Sequence, residues 1–136
     1  MALILIWEAV FQLDFWPDSM IPSPFTVATT IYAGFADMTL VYDILASFRH
    51  LLIGLSISLV IGTLLGVLLA KVKIADETLG TMILALQSVP SIVWVPLAII
   101  WFGFTEASII FVVIIGGTFV MTMNMRIGIK TLPRFI

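Results

Sequence analysis

The stretch TLGTMILALQSVPSIVWVPLAIIWFGF, from Thr78 to Phe104, decides the fold of this chain. It contains no charged residue, and a helix needs about 20 apolar residues to cross the hydrocarbon core of a bilayer. Pro90 and Pro96 interrupt the stretch. Each proline lacks a backbone donor and crowds the carbonyl four residues earlier. The stretch therefore predicts a transmembrane helix that is broken near its middle.

Polar side chains lie close to the predicted break. Gln87, Ser88 and Ser91 could donate hydrogen bonds to the freed carbonyls, which would belong to Leu86 and Ile92. Interrupted membrane helices occur where protein or a water-filled cavity faces them, so we predict that this region lines a solute pathway. The predicted pathway-lining residues are Gln87, Ser88, Pro90, Ser91, Trp94 and Pro96. The alternative is a kinked helix that only packs against its neighbours, because proline is common in transmembrane helices.

Composition also indicates a membrane protein. The chain is 62% hydrophobic and 10% charged, with a mean hydropathy of +1.25, whereas soluble domains are about 45–50% apolar. The predicted fold is all-α, a polytopic transmembrane helical bundle, with room in 136 residues for roughly three or four spans. The net charge of -2 leaves no basic surface for nucleic acid.

The whole chain, 1–136, is predicted to be part of a single transmembrane domain. Segment 1–16 is the end of a first span or an interfacial helix. An outer loop and a surface helix follow at 17–37, where Ser23 before Pro24 is a typical helix start. The predicted second, third and fourth spans are 38–72, 76–103 and 106–126, and 127–136 begins a cytoplasmic loop.

A stripe of small residues runs along the second span. Its members recur at every fourth position, and they are Gly54, Ser58, Gly62, Gly66 and Ala70. Small residues let two helix backbones approach closely, which is how helices associate in lipid. The stripe therefore predicts a helix-packing surface, whose partner is either the broken helix or another chain.

The basic residues predict the orientation. Five of the six Lys and Arg residues fall on one side if each span crosses once, and they are Lys71, Lys73, Arg126, Lys130 and Arg134. The positive-inside rule assigns that side to the cytoplasm. Arg49 and His50 then lie near the outer interface, where they contact headgroups or, alternatively, an anionic solute.

Other chemistry finds little support in the residues. Met121, Met123 and Met125 resemble a copper site, but residues two apart on a helix point in different directions, so gap-filling contacts are the better interpretation. There is no phosphate-binding glycine loop and no acid–base pair within the uncharged runs. We expect no enzyme activity, no metal and no cofactor.

The chain resembles a known family of transporters. The run LQSVPSIVWVPLAIIWFGFTEASIIFVV, from Leu86 to Val113, is similar to the permease subunits of ATP-binding-cassette (ABC) importers of the nitrate, sulfonate, taurine and bicarbonate type. IPSPFTVATTIYAGF, ASFRHLLIGLSISLVIGTLLGVLLA, and Asn124, Gly128 and Lys130 fit the same pattern. The resemblance covers almost the whole chain.

This resemblance implies a type I importer fold, located in the inner membrane, in which two permease subunits form the pathway, as a homodimer. Two separate ATPase subunits would drive ATP-dependent alternating access, and an extracytoplasmic binding protein would deliver a small solute. Such permeases continue into a docking helix and two more spans, so the chain corresponds to a front half.

Two other functions are consistent with parts of the sequence. One is a non-transporting membrane adaptor, or a non-functional truncated permease, whose stripe only binds a partner helix. The other is half of a secondary transporter, which predicts an inverted copy of the broken helix. The chain contains no such copy.

Overall fold

The computed structural model describes residues 1–133, and within that range it contains helices and no strand. This confirms the all-α fold predicted from the sequence. Two compact units are present, Met1–Ala46 and Ser47–Ile136. Arg134, which the orientation argument included, lies outside the described residues.

The first unit begins with a short apolar helix, α1, at Ala2–Gln12. Eleven residues extend only about 16 Å, well short of the hydrocarbon thickness. The helix ends before Trp16, the limit expected from the sequence, and Asp14 adopts a positive φ of 56° just beyond it. The indole Nε1 of Trp7 donates to the Pro22 carbonyl at 3.0 Å, so α1 is attached to the loop that follows it.

The second helix, α2 at Pro24–Ala36, starts where the sequence predicted. The Ser23 hydroxyl accepts a hydrogen bond from the Thr26 N–H at 3.1 Å, and Pro24 occupies the first helical position. After α2, the Asp37 carboxylate accepts a hydrogen bond from the Thr39 N–H at 3.0 Å. Hydrogen bonds from Thr39 also lower the pKa of Asp37 below its usual value.

Two long apolar helices dominate the rest of the chain, α3 at Thr39–Lys71 and a final helix at Glu106–Thr131. Both are long and apolar enough to cross a membrane. Between them lie α4 at Lys73–Gln87 and α5 at Ser91–Phe102, which meet at an angle of 88°. The final helix is therefore α6. Residues 1–133 thus contain two candidate spans, or three if α4 and α5 together make one.

Helices α3 and α6 run parallel and in register. A β-carbon added at Gly54, Gly62 or Gly66 would lie 2.6 Å from a side-chain atom of Val113, Met121 or Met125, respectively. From one contact to the next, the residue number rises by the same amount on both helices, so the two helices run in the same direction. Because the added atoms would clash, only glycine permits this separation of the two helices.

A small apolar core lies where the C-terminal ends of α3 and α6 meet α4. It consists of Leu69, Ile83 and Met123, which are 1%, 6% and 4% exposed, with Ala75 and Phe119 packed against them. One residue comes from each of the three helices. This core places the first half of the bent pair beside the inner half of α6.

The two ends of the bent pair lie at opposite ends of α6. Asp76, near the start of α4, forms an ion pair with Arg126 in the last part of α6. α5 ends at Phe102, immediately before α6 begins at Glu106. Arg126 and Glu106 are about 30 Å apart along a helix that rises 1.5 Å per residue. A re-entrant loop would return to the side where it began, so this arrangement supports a broken span.

Candidate functional site

The bend between α4 and α5 is the predicted pathway region, and local hydrogen bonds satisfy part of its backbone. The Val89 N–H donates to the Leu86 carbonyl at 3.2 Å, and the Val93 N–H donates to the Pro90 carbonyl at 3.0 Å. The sequence predicted that side chains donate to the carbonyls freed by the prolines. That prediction was wrong for Ser88, whose hydroxyl donates to the Ala85 carbonyl at 2.6 Å. These local hydrogen bonds do not use the side chains of Gln87 and Ser91.

The two prolines have different positions. Pro90 lies at the bend itself, in an extended conformation with ψ of 136°, just before the short 3₁₀ turn Ser91–Val93. Pro96 is the third residue of the α-helical part Trp94–Phe102. N–H groups in a first helical turn have no partner within the helix, so Pro96 fits there without breaking it. Of the two, only Pro90 marks the break that the sequence assigned to both.

The bend presents polar groups on an exposed surface. Ser88, Pro90, Ser91 and Pro96 are exposed, while Gln87 and Trp94 are partly buried. Within the described residues, the Ser91 hydroxyl makes no hydrogen bond, and Oε1 of Gln87 is buried without a partner. The Trp94 ring packs against the ring of Phe119 on α6, with 6.3 Å between the two ring centroids. The six predicted residues thus lie on one bend, with Trp94 holding it against α6.

Near the middle of α6, two adjacent glycines each pack against a serine of a different neighbouring segment. A β-carbon at Gly116 would lie 2.8 Å from Oγ of Ser91, and one at Gly117 would lie 2.5 Å from Oγ of Ser58. Ser91 belongs to the bend and Ser58 to α3. The glycine pair, Gly116 and Gly117, therefore lets α6 pack closely against both neighbours at one level.

The stripe of small residues on α3 faces α6. Gly54, Ser58, Gly62 and Gly66 are buried, and the partly buried Ala70 lines a cleft with Ile129 of α6. The sequence had left the broken helix or another chain as the partner of the stripe, and the structure shows a different helix of the same chain. Buried glycines and a serine on α3 are thus matched by residues of α6.

The three methionines of α6 have separate partners. Met121 faces Gly62, and Met125 faces Gly66. Met123 instead packs in the apolar core, with 4% exposure. They fill spaces between helices, as flexible methionine side chains commonly do.

A cluster of charged residues, here called the outer cluster, joins the N-terminal end of α6 to α3. Glu106 Oε2 lies 3.5 Å from Nη2 of Arg49 and 3.3 Å from Nε2 of His50. The His50 contact is close but lacks hydrogen-bond geometry. Arg49 and Glu106 are more than half exposed, whereas His50 is buried. An anionic solute at Arg49 would compete with the Glu106 carboxylate.

A second cluster, here called the inner cluster, joins the C-terminal end of α6 to α4. Arg126 donates from Nε to Oδ1 of Asp76 and from Nη2 to Oδ2, the latter at 3.1 Å. Lys130 also donates to Oδ2 of Asp76. The Asp76 side chain is only 15% exposed. The carboxylate is therefore held by two cations from one helix.

Comparison with known proteins identifies the family. The family described as "Binding-protein-dependent transport system inner membrane component" matches residues 58–135, which include the bend, α6 and the inner cluster. The chain belongs to this family. Its resemblance to ABC importer permeases and its location in the inner membrane, both predicted from the sequence, are confirmed.

Curated permeases of several kinds are similar to the chain. The nitrate import permease protein of Synechocystis sp. is 26% identical over 97% of the chain and 50% of its own length. The riboflavin transport system permease protein of Chloroflexus aurantiacus is 28% identical over 98% and 50%. The formylaminopyrimidine transport permease protein of Halalkalibacterium halodurans is 26% identical over 97% and 52%.

The chain spans about half the length of these permeases. No solved structure matches it at a significant level. As a member of this family the chain is an inner-membrane component of a transport system.

The sequence did not reveal the two charged clusters of this permease. Asp76 and Glu106 both pair with residues on another helix. Their partners are 50 or more residues away in the sequence. The available signal was weak: at each end of the predicted bundle, acidic and basic residues occur on different helices.

Proposed function

We propose that this permease chain forms part of the translocation pathway of an ABC importer, with the bend between α4 and α5 facing the solute. The observation that carries the proposal is a bend of 88° in an apolar segment whose ends lie at opposite ends of α6. Lipid cannot satisfy an irregular backbone, so such a bend is stable where it faces protein or water.

The side chains of the bend support a role in solute passage. Ser91 is an exposed residue whose hydroxyl makes no hydrogen bond to a described residue, and Pro90 beside it is exposed too. A neutral hydroxyl can donate to or accept from a solute, and it does not hold an anion as tightly as a fixed cation would. Passage requires binding that is weak enough to be released, and a hydroxyl satisfies that condition.

The proposed solute is small, such as nitrate, a sulfonate, taurine or bicarbonate. Relatives of the chain include permeases named for nitrate, aliphatic sulfonates and bicarbonate, although others are named for riboflavin and formylaminopyrimidine. The uncharged bend is compatible with solutes of either kind. We therefore propose that the choice of solute is made mainly by a binding protein outside the membrane.

The proposed mechanism is alternating access driven by ATP hydrolysis in separate ATPase subunits. The partners would be two ATPases, an extracytoplasmic binding protein and a second permease subunit, in a homodimer. In this mechanism α3 and α6 act as a single body, because their glycines leave no room for sliding. The bent pair moves relative to this body and changes which side of the membrane can reach Ser91.

The contacts of the stripe weigh against a non-transporting adaptor. That hypothesis needs the small residues of α3 to be available to a partner, but four of the five are buried and face α6. The stripe is therefore explained by packing within the chain.

Cysteine labelling tests the proposed pathway, and the chain has no native cysteine. Ser91→Cys is introduced into the assembled importer in vesicles and treated with a charged, membrane-impermeant thiol reagent. Ser56→Cys is the matched control, because Ser56 is an exposed serine of α3 outside the stripe. We expect the Ser91→Cys variant to be labelled at a rate that changes when ATP is added, and the control to remain unlabelled. If the thiol at position 91 is inert in every state, the bend is not in the pathway.

A further inference from the structure

Asp76 stands out because its ion pairs are less exposed than the others described within residues 1–133. Its side chain is 15% exposed and Arg126 is 29% exposed, whereas Lys73 and Glu77, one turn apart on the same helix, are 89% and 64% exposed. Arg126 uses two nitrogens on the two carboxylate oxygens. A forked contact of this kind fixes orientation as well as distance, unlike the point charge of lysine.

The backbone around Asp76 is adapted to this contact. Residues Asp76–Gly80 form a π-helical turn, a rare conformation that often occurs at functional sites. A β-carbon at Gly80 would lie 3.1 Å from Oδ1 of Asp76 and 3.9 Å from Nε of Arg126. The absence of a side chain at Gly80 therefore lets the carboxylate lie along its own helix, where the guanidinium reaches it.

The inner cluster adds a charged attachment to the apolar contacts between the bent pair and α6. Other contacts within the described residues include the apolar core around Ile83 and, beyond the bend, the contacts of Ser91 with Gly116 and of Trp94 with Phe119. Apolar contacts permit a helix to rotate or slide, because they are not directional. The forked ion pair is directional, so it determines how α4 approaches the bend.

We propose that Asp76 is a positioning residue, which through Arg126 sets the direction of α4 and thereby the position of Ser91 at the bend. This inference rests on the proposed function, since it assigns Ser91 to the pathway. Without the ion pair, α4 loses a directional contact with α6 and adopts a wider range of directions. The bend then spends less time in the arrangement that admits the solute.

The first experiment measures geometry and does not depend on transport. Spin labels are placed at Leu84→Cys on α4 and Ile109→Cys on α6, both exposed positions, separated by roughly 20 Å along the axis of α6. Labelled permease is diluted with unlabelled permease in the assembled importer, and the distance is measured by pulsed electron resonance. We expect Asp76→Asn to broaden the distribution and Glu77→Gln, the exposed acid next to it, to leave it unchanged.

The second experiment measures transport. We expect Asp76→Asn to lower the maximal uptake rate about tenfold, with a smaller change in the KM for solute, because the bend is displaced rather than altered chemically. The charge exchange Asp76→Arg with Arg126→Asp should restore much of the rate, since Lys130 can still pair with the carboxylate introduced at position 126. If the Asp76→Asn protein fails to accumulate, Arg126→Lys is measured in its place. This variant retains the charge and removes only the forked contact.

The outcomes separate the two proposals. Unchanged distance distributions and unchanged uptake in Asp76→Asn, or no rescue by the charge exchange, would overturn the role of Asp76. A broadened distribution together with an inert thiol in the Ser91→Cys variant would instead support Asp76 as a positioning residue for α4 and reject the proposed pathway.

Discussion

Ser91 of the bend lies so close to Gly116 of α6 that a β-carbon on Gly116 would be 2.8 Å from the serine hydroxyl oxygen. The next residue, Gly117, is similarly close to Ser58 of α3. Both glycines lie in the middle of one run of helix, and each faces a different neighbour. The position of the bend is therefore coupled to the packing of α3 against α6.

The first prediction concerns Gly116→Ala. The new methyl group should push the Ser91 side chain away and lower uptake several-fold, with little loss of stability because a serine side chain can rotate and alanine favours helix by about 1 kcal/mol. Gly128→Ala is the matched control, since nothing lies within 4 Å of a β-carbon there. Equal uptake in the two single glycine variants would contradict the role of the Ser91 contact.

The second prediction separates the two prolines. Pro90→Ala should lower uptake several-fold, because alanine restores a donor and allows α4 to continue through the bend. Pro96→Ala should retain nearly full uptake, because Pro96 lies in a first helical turn. Initial uptake rates in vesicles with matched protein amounts provide the measurement. A larger loss in Pro96→Ala than in Pro90→Ala would show that the bend is maintained by the helix after it.

The third prediction concerns the stripe. A β-carbon at Gly66 would lie 2.6 Å from Cβ of Met125 and 2.8 Å from the backbone oxygen of Thr122. Because a backbone atom cannot rotate away, Gly66→Ala should lower the free energy of unfolding by about 1–3 kcal/mol. Reversible unfolding in detergent measures this difference. Gly128→Ala again serves as the control and should be neutral or slightly stabilising; a neutral Gly66→Ala would contradict the close contact of α3 with α6 at this level.

The fourth prediction concerns the outer cluster. Arg49 and Glu106 are 66% and 57% exposed, and exposed ion pairs contribute about 0–1 kcal/mol. Glu106→Gln should therefore change the free energy of unfolding by less than about 1 kcal/mol, and less than Asp76→Asn does. The same unfolding measurement, performed at low and at high salt, checks this. A loss larger than that of Asp76→Asn would show that buried His50 depends on Glu106.

Local features of the structure could be predicted from the sequence. Uncharged runs indicated the long helices, because apolar length decides which segments can cross a membrane. Ser23 before Pro24 indicated the start of α2, since that cap is formed by neighbours in the sequence. The spacing of Gly54, Gly62 and Gly66 indicated a helix-packing surface, because the helical period alone places them on one face.

Features that depend on distant residues could not be predicted in the same way. The stripe did not indicate that α6 is its partner, since several helices could accept small residues. The sequence does not distinguish Pro90 from Pro96, because it does not show where the second helix begins. The partners of Asp76 could not be found from its own segment, because the contact forms only when α4 and α6 are brought together.

The parallel, in-register contact of α3 with α6 has a consequence for how the polypeptide enters the bilayer. Two helices with the same polarity need an odd number of crossings between them, and here α4 and α5 must supply it. If the translocation machinery failed to insert that interrupted segment, α6 would enter upside down, with Met125 at the level where Val113 should meet Gly54. Correct insertion of the α3–α6 pair therefore depends on insertion of the interrupted segment formed by α4 and α5.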